Sequence, residues 1–275
     1  MPELPEVQSI VSNLKNGTIN HPPLIGLKII AAQLFWPRTL AIPDPEEFTT
    51  RVVGQRIDEI GRRGKFVVIS LDQETLLFHL RVSGDLMVEA TDAPIAPHHR
   101  LVFDLENNLR LSFNDPRKFG RVWLTPQPEI VLGGLGPEPL EERFTTQEFY
   151  QRLTVYRRQL KPLLLDQSFL AGLGNIYTDE ALHRARLHPL VCADTLSFGE
   201  AETLLQSIRS VLQEGIQRNG ASIDWVYRGG EFQNYFRVYQ RTGEPCFNCS
   251  TPIQRLVIGQ RGTHYCPNCQ QIPTD

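Results

Sequence analysis

The sequence lacks any apolar run near the ~18 residues that a membrane-spanning helix requires, which argues against a helical membrane protein. It also lacks a basic leader, because its opening MPELPEVQSI carries two glutamates, so we expect no secretory signal and a cytoplasmic location. Internal repeats and low-complexity tracts are missing as well. What remains is 275 residues, 41% hydrophobic and 21% charged, as is typical of a soluble globular protein of two domains.

Excess positive charge is missing too, since the net charge is −3 and the sequence pI is near 6.2. This balance argues mildly against a nucleic-acid partner. The basic residues are nevertheless bunched in two stretches, Arg56, Arg62, Arg63 and Lys65, and Arg228, Arg237, Arg241, Arg255 and Arg261. A basic face on a weakly acidic molecule would reconcile the two facts, and ordinary solvated surface charge is the alternative.

The first half of the chain predicts one helix followed by short strands. The helix has Pro5 in its first turn and Gly17 at its end, and its apolar face is formed by Val7, Ile10, Val11 and Leu14. The predicted strands are residues 66–71, 76–80, 101–105, 109–113 and 121–124. Such closely spaced hairpins indicate an antiparallel sandwich or barrel.

The second half predicts mainly helices. A Gly- and Pro-rich connection at residues 131–142 precedes helices at 146–160 and 175–185. A third helix follows a capping box formed by Ser197 and Glu200, and short strands return from about residue 236. The fold class is therefore predicted to be α+β.

Four of the five cysteines form a metal-binding pattern. Cys246, Cys249, Cys266 and Cys269 give C-x2-C-x16-C-x2-C, which can place four thiolates around one Zn²⁺. Four protein ligands leave no open coordination position, so the zinc is expected to be structural. A redox dithiol or paired disulfides are the alternatives. The fifth, Cys192, is expected to be a small buried side chain.

The second residue offers a nucleophile. Removal of Met1 would leave Pro2 as a secondary amine, and an α-amino group has a pKa near about 8, so part of it is unprotonated at neutral pH. Such an amine can attack a sugar carbon and form an iminium, with Glu3 and Glu6 nearby for proton transfer. By itself this pattern is weak, because proline often follows the initiator methionine.

Seven segments, taken together and in order, resemble formamidopyrimidine-DNA glycosylase. They are MPELPEV at the start, GRRGKF (61–66), HLRVSG (79–84), NDPRKFG (114–120), LGPEPL (135–140), the run 160–182 containing GLGNIY, and the cysteine segments GEPCFNC and GQRGTHYCPNC. They cover nearly the whole chain. The resemblance implies a β-sandwich with an N-terminal helix, then a helix-two-turn-helix module and a zinc-ribbon finger.

The same resemblance implies domain bounds and an activity. It places a catalytic domain at 1–130, a linker at 131–145, a DNA-binding helical domain at 146–235 and the zinc finger at 236–275. The implied activity is that of a bifunctional glycosylase and lyase of base excision repair, which removes 8-oxoguanine and formamidopyrimidines and nicks the strand by β,δ-elimination. Its partner would be damaged double-stranded DNA, bound by a monomer without any membrane association.

Functional residues carry over by position. The resemblance implies that Pro2 is the nucleophile, Glu3 the general acid, Lys65 a proton donor on a β-strand, and Arg261 the arginine that grips the phosphates at the lesion. It further implies DNA contacts, two of which fill the gap left by an extruded base, at His98, Arg117, Phe119, Lys161 and Asn175. As alternatives, Phe119 could be a core aromatic, Lys65 a solvated surface lysine, and Arg261 a brace for the ribbon.

Two departures concern recognition of the damaged base. Val82 stands where the family usually has methionine, and Arg81 stands where it usually has glycine. The loop that caps the lesion also differs, since residues 221–236 read ASIDWVYRGGEFQNYF.

Three other functions compete. Endonuclease VIII usually begins PEGPE, whereas this chain has Leu4. A non-catalytic zinc-ribbon DNA-binding protein would not require Pro2, Glu3 and Lys65 together. A metal-dependent nuclease would need a carboxylate cluster that the sequence does not show.

Overall fold

The computed structural model describes residues 1–223 and 229–272. They form two compact units, residues 1–133 with 222–223 and 229, and residues 134–221 with 230–272. Within the described residues, no helix is both long and apolar enough to cross a membrane.

The first unit is mainly β-structure. Its helices are α1 (Leu4–Asn16), α2 (Pro45–Val52) and α3 (Glu129–Leu132). Its strands are β1 (Ile29–Leu34), β2 (Leu40–Ile42), β3 (Ile57–Arg63), β4 (Phe66–Leu71), β5 (Thr75–His79), β6 (Asp85–Ala90), β7 (His99–Leu105), β8 (Leu109–Asn114) and β9 (Arg121–Thr125). All five strands predicted from the sequence are present, with ends that differ by two residues at most.

The strands form a two-sheet sandwich. One sheet has the order β1-β7-β8-β6 and is antiparallel throughout, and the other has the order β2-β9-β5-β4-β3 with only the β2–β9 pair parallel. The core lies between them, where the ring of Phe78 on β5 meets Phe103 and Phe113 of the other sheet at 6.2 and 5.8 Å. The predicted sandwich is confirmed.

Helix α1 buries the face that its sequence predicts. Val7, Ile10, Val11 and Leu14 are at most 4% exposed, and the helix packs on β3 and β4. Gly17 ends it with φ 76°, a left-handed conformation that glycine adopts without a steric penalty.

The second unit contains the predicted helices and a zinc-ribbon hairpin. Its elements are α4 (Thr146–Thr154), α5 (Leu160–Leu164), α6 (Asn175–Arg184), α7 (Phe198–Gln217), β10 (Gln254–Ile258) and β11 (Arg261–Tyr265). α6 packs against both α7 and β11, and β10 pairs with β11 in an antiparallel hairpin.

The helix predicted at 146–160 is too long. It ends at Thr154, because the backbone after it pairs with another segment: Leu160 N donates to Val191 O at 2.8 Å, and Ala193 N donates to Arg158 O at 2.8 Å. A long-range backbone pairing thus replaces the last helical turn that the local pattern predicts.

The capping box of α7 yields a stability prediction. Ser197 Oγ accepts a hydrogen bond from Glu200 N at 3.3 Å, and Ser197 N donates to Glu200 Oε2 at 2.8 Å. Ser197→Ala should lower the free energy of unfolding by about 1 kcal/mol in urea titrations, because one orphan N–H of the helix loses its acceptor. Glu202→Gln, an exposed change in the same helix, is the control and should lie within about 0.5 kcal/mol of the parent protein. Equal stability of both variants would contradict the capping role.

Candidate active site and nucleic-acid interface

The N-terminal proline lies beside two buried carboxylates. Pro2 is buried, Glu3 and Glu6 are 3% and 2% exposed, and α1 starts directly after Glu3. Glu3 and Glu6 form a reciprocal capping box, in which Glu3 N donates to Glu6 Oε2 at 2.7 Å. The positive end of the helix stabilises carboxylates at this position. The chain start is therefore held in a fixed conformation by the helix that it begins.

Lys65 lies in the two-residue turn that joins β3 to β4. Gly64 takes φ 55° in this turn, and Lys65 is only 5% exposed, so it is not a solvated surface lysine. Arg62 on β3 donates from Nε to Gln8 Oε1 of α1 at 3.2 Å. The turn that carries Lys65 and the helix that starts at Pro2 thus belong to one packed substructure.

His79 on β5 pairs with Phe66 on β4, which is the residue that directly follows Lys65. Burial, followed by the charges of Arg81 and Lys65, lowers the pKa of His79 to about 3. The ring is therefore neutral at pH 7. Its Nδ1 accepts a hydrogen bond from Arg81 N at 3.1 Å, which fixes the start of the next turn.

Two turns of the first unit, residues 81–84 and 115–120, are joined through one buried carboxylate. Asp115 is fully buried. Its Oδ1 accepts from Ser83 Oγ, and its Oδ2 accepts from Gly120 N at 2.7 Å. Arg117 N in turn donates to Ser83 Oγ at 3.1 Å. We call these two segments the paired turns, since neither can move without breaking these hydrogen bonds.

His98 adjoins the paired turns. Its carbonyl accepts from Asp115 N at 2.9 Å, and its exposed ring lies 3.4 Å from the guanidinium of Arg100, whose Nε donates to Asp115 O at 2.7 Å. The structure therefore brings His98, Arg117 and Phe119 to one region of the first unit.

The paired turns present side chains to solvent. Phe119 is 51% exposed, so it is not a core aromatic, and the guanidinium of Arg117 lies 5.2 Å from the centre of its ring. Val82 is half-buried, and Arg81 is exposed in a left-handed conformation with φ 53°. A non-glycine residue is uncommon there, which agrees with glycine being the usual residue at this position of the motif.

In the second unit, Asn175 and Arg261 lie on elements that touch each other. Asn175 is the first residue of α6, and its Nδ2 donates to Gly262 O on β11 at 2.9 Å. Arg261 is exposed, and its guanidinium has no hydrogen-bond or ion-pair partner among the residues that the structure describes. Lys161 differs from both, because it is completely buried and its Nζ lies 2.5 Å from Asp179 Oδ1. Its predicted contact with DNA stays a prediction.

The four cysteines of the metal pattern converge. Their sulfur atoms all lie within 4.8 Å of one another, with separations of 3.4 Å for Cys249–Cys266 and 3.9 Å for Cys246–Cys269. A tetrahedral site with Zn–S bonds of ~2.3 Å requires sulfur separations near ~3.8 Å, whereas a disulfide requires ~2.05 Å. The sulfur positions therefore fit zinc, and these cysteines hold one structural ion.

The surroundings of the sulfurs also fit a metal. Hydrogen bonds from Thr251 lower the pKa of Cys249 to about 5, whereas burial raises the pKa of Cys266 and of Cys269, so in the absence of an ion Cys249 is the thiol that ionises first among these three. His183 Nε2 on α6 lies 3.6 Å from Cys246 Sγ, so the helix contacts the ligand set directly. A side chain that contacts a ligand atom in this way helps to orient it towards the metal.

Comparisons with known proteins agree with this geometry. The family models for the formamidopyrimidine-DNA glycosylase N-terminal domain, the formamidopyrimidine-DNA glycosylase H2TH domain and the zinc finger found in FPG and IleRS match residues 1–122, 135–226 and 243–272. These are three parts of a zinc-finger DNA glycosylase, in chain order. The chain therefore belongs to the formamidopyrimidine-DNA glycosylase family.

Relatives match over nearly their whole length. The formamidopyrimidine-DNA glycosylase of Protochlamydia amoebophila is 44% identical, covering 98% of this chain and 100% of its own. That of Chloroflexus aurantiacus is 45% identical and covers 98% of each chain. The crystal structure of Lactococcus lactis Fpg with DNA containing an abasic site is 36% identical, has a TM-score of 0.90 and covers 98% of this chain and 100% of its own.

Sequence reasoning missed two buried carboxylates, Asp115 and Asp179, and gave the wrong burial for one cysteine. Asp115 was visible within NDPRKFG, and Asp179 follows Asn175 by one helical turn, a spacing that places both on one face. The prediction that Cys192 is buried is wrong, because it is exposed on an extended segment whose neighbours Val191 and Ala193 point inward. Of the lesion-capping loop, residues 224–228 lie outside the described residues.

The metal site predicts a local loss of structure. Cys249→Ser should abolish stoichiometric zinc and expose the amides of residues 237–270, since the metal replaces a core that this segment does not have. Elemental analysis and amide hydrogen exchange measure the two effects. Cys192→Ser is the matched control and should keep both zinc and protection. Native protection in a zinc-free Cys249→Ser protein would refute the structural role.

His79 predicts a pH dependence of stability. Its folded pKa is lowered to about 3, whereas the unfolded side chain titrates near ~6.5. The unfolded state therefore takes up a proton first as the pH falls, so this contribution is complete above about pH 6.5 and is lost progressively towards pH 3. Between pH 7 and pH 5 it should cost about 2 kcal/mol in urea unfolding.

His79→Asn is the test of this assignment. An asparagine can present Oδ1 to Arg81 N in place of Nδ1 and does not titrate. The variant should lose less stability between pH 7 and pH 5 than the parent protein does. The same loss in both proteins would assign the pH dependence to other groups.

Proposed function

We propose that this protein is a bifunctional DNA glycosylase and lyase that removes oxidised purines from duplex DNA. The observation that carries the proposal is the fixed start of the chain, in which Pro2 directly precedes a buried glutamate at the N-terminus of α1. Once Met1 is removed, Pro2 is a secondary amine beside this buried acid, and the two groups provide a nucleophile and a proton donor.

The chemistry follows from these two groups. The nitrogen lone pair of Pro2 attacks C1′ of the damaged nucleotide, the C1′–N bond breaks, and the base leaves with the bonding electrons and a proton. Glu3 assists this excision by proton transfer at the sugar: it donates a proton to O4′, so that the C1′–O4′ bond breaks, the ring opens and an iminium remains between the proline and C1′. The iminium makes the C2′ hydrogen acidic, and successive eliminations of the 3′ and 5′ phosphates nick the strand.

Lys65 is proposed to assist the early steps. It is buried in a turn of the substructure that contains α1, and an ammonium group there can position the sugar and donate a proton.

The paired turns are proposed to open the duplex. Excision requires the nucleotide to leave the stack, and side chains must fill the space that it vacates. The exposed Phe119 and the guanidinium above it suit a wedge and a hydrogen-bond donor for the orphaned base. Half-buried Val82 would add a smaller apolar contact than methionine, and His98 would contact the adjacent backbone.

The second unit is proposed to bind the phosphates. Asn175 at the start of α6 offers its remaining side-chain N–H, and Arg261 offers an exposed guanidinium. Binding should therefore weaken as salt increases, despite the net charge of −3.

The substrate class rests on relatives. Structures similar to this chain contain DNA with carbocyclic 8-oxo-G, with Fapy-dG or with an abasic site. We propose the same lesions here, acted on by a monomer in the bacterial cytoplasm, where the chromosomal DNA lies. We also propose the domain bounds given above, with the catalytic domain at 1–130 and the zinc finger at 236–275.

Two variants separate the chemical steps. Pro2→Gly keeps an N-terminal amine but makes it primary and flexible, so cleavage of both 8-oxoguanine and abasic duplexes should fall by about 100-fold or more, because the nucleophile is no longer preorganised. Glu3→Gln should fail to release the base from the intact lesion yet retain substantial cleavage at an abasic site, which needs no base departure. Gel assays on the paired duplexes measure both, and borohydride should trap a covalent adduct with the parent protein.

Glu46→Gln, an exposed change on α2, is the control and should behave as the parent protein does. Native cleavage by Pro2→Gly, or no borohydride adduct, would exclude the proline as nucleophile. The non-catalytic DNA-binding function would then be the better one. Faster excision of oxidised pyrimidines than of 8-oxoguanine would instead indicate an endonuclease VIII activity.

A further inference from the structure

We propose that Asp179 is a positioning residue for DNA binding. Its carboxylate holds the start of α6, which carries Asn175, and the zinc hairpin, which carries Arg261, in one arrangement, with Lys161 as its counter-ion. This inference rests on the proposed phosphate-binding roles of Asn175 and Arg261.

Both oxygens of Asp179 are used inside the second unit. The residue is 1% exposed. Oδ1 accepts from Lys161 Nζ at 2.5 Å, and Oδ2 accepts from His264 N at 2.9 Å and contacts His264 Nδ1 at 3.2 Å. The carboxylate on α6 is therefore bonded both to α5, through Lys161, and to β11, through His264.

A second path joins the same elements. Lys161 Nζ also donates to Asn175 O at 3.0 Å, and Asn175 Nδ2 donates to Gly262 O on β11 at 2.9 Å. The hydrogen bonds close a ring that runs from Asp179 through Lys161, Asn175 and β11 back to Asp179. Since β11 is held at both Gly262 and His264, it can neither slide nor rotate on α6 without breaking the ring.

The ring lies directly beside the proposed phosphate ligands. Arg261 immediately precedes Gly262 on β11, and Asn175 is itself a member of the ring. Two ligands on different elements bind one phosphate backbone well only if their separation is fixed before binding, because ordering them on binding costs affinity.

The burial of the ion pair favours positioning over simple stabilisation. The side chains of Lys161 and Asp179 are both 0% exposed. A buried ion pair often contributes little net stability compared with apolar residues of similar size, and its established use is to select one arrangement among several. The same burial explains why Lys161 fits a counter-ion better than a DNA contact.

The test is a mutant cycle in which the Kd of each variant for DNA is measured. The probe is a fluorescent duplex that contains a stable analogue of an abasic site. Asp179→Asn should raise the Kd by about tenfold and leave single-turnover cleavage at saturating DNA within about threefold, with one zinc retained. When Asn175→Ala and Arg261→Ala are already present, Asp179→Asn should add less than about twofold, because it acts through those residues. Asp166→Asn, which breaks the exposed Arg158–Asp166 pair of the same unit, is the control and should leave the Kd unchanged.

A second variant protects the test against misfolding. Lys161→Met with Asp179→Leu removes both charges and leaves neither one unpaired, so it should fold, bind zinc and still show the raised Kd. A native Kd in this variant or in Asp179→Asn would overturn the inference, and so would a full additional loss in the Asn175→Ala, Arg261→Ala background. If the variant with Asn175→Ala and Arg261→Ala binds DNA with the native Kd, the proposed phosphate contacts are wrong. That result would overturn this part of the proposed function and is distinguishable from a failure of the Asp179 inference alone.

Discussion

A carboxylate that becomes buried on folding needs hydrogen-bond donors or a counter-ion. In this protein, buried carboxylates lie where the segments that carry the candidate site residues meet. Glu6 closes the capping box at the chain start, Asp115 joins the paired turns, and Asp179 joins the helical module to the zinc hairpin. Glu180, the next residue, accepts from the backbone N–H groups of residues 237–239 at 2.8–3.0 Å. Each of these side chains accepts hydrogen bonds that fix the conformation of a short segment.

Zinc and Glu180 both hold the C-terminal segment in place. The apolar cluster of the C-terminal segment is small, with Val238 and Ile253 packed on Cys246 and Cys266. Four thiolates around one ion replace the missing core, and Glu180 fastens the segment to α6 just before the first cysteine. The segment that carries the exposed Arg261 is thereby held both by its metal ligands and by α6.

The two units use preorganisation for different purposes. In the first, the capping box and the Lys65 turn fix the groups that are proposed to react, and the paired turns fix the side chains that are proposed to enter the duplex. In the second, the ring around Asp179 fixes groups that are proposed to bind phosphates. The residues that are proposed to touch DNA are exposed or half-buried, whereas those that hold them are buried, so loss of either kind should weaken function by a different route.

Local patterns in the sequence were sufficient for the strands of the sandwich, the apolar face and Gly17 stop of α1, the capping box at Ser197 and the zinc ligands, because each depends on residues close together in the chain. The family motifs predicted the nucleophile in the same way. The tertiary structure decided where α4 ends, that Cys192 is exposed and that Lys161 is buried. Those outcomes depend on partners outside the local pattern, such as the 191–193 backbone for α4 and Asp179 for Lys161, and the burial of a charge is decided only when its counter-ion is brought beside it.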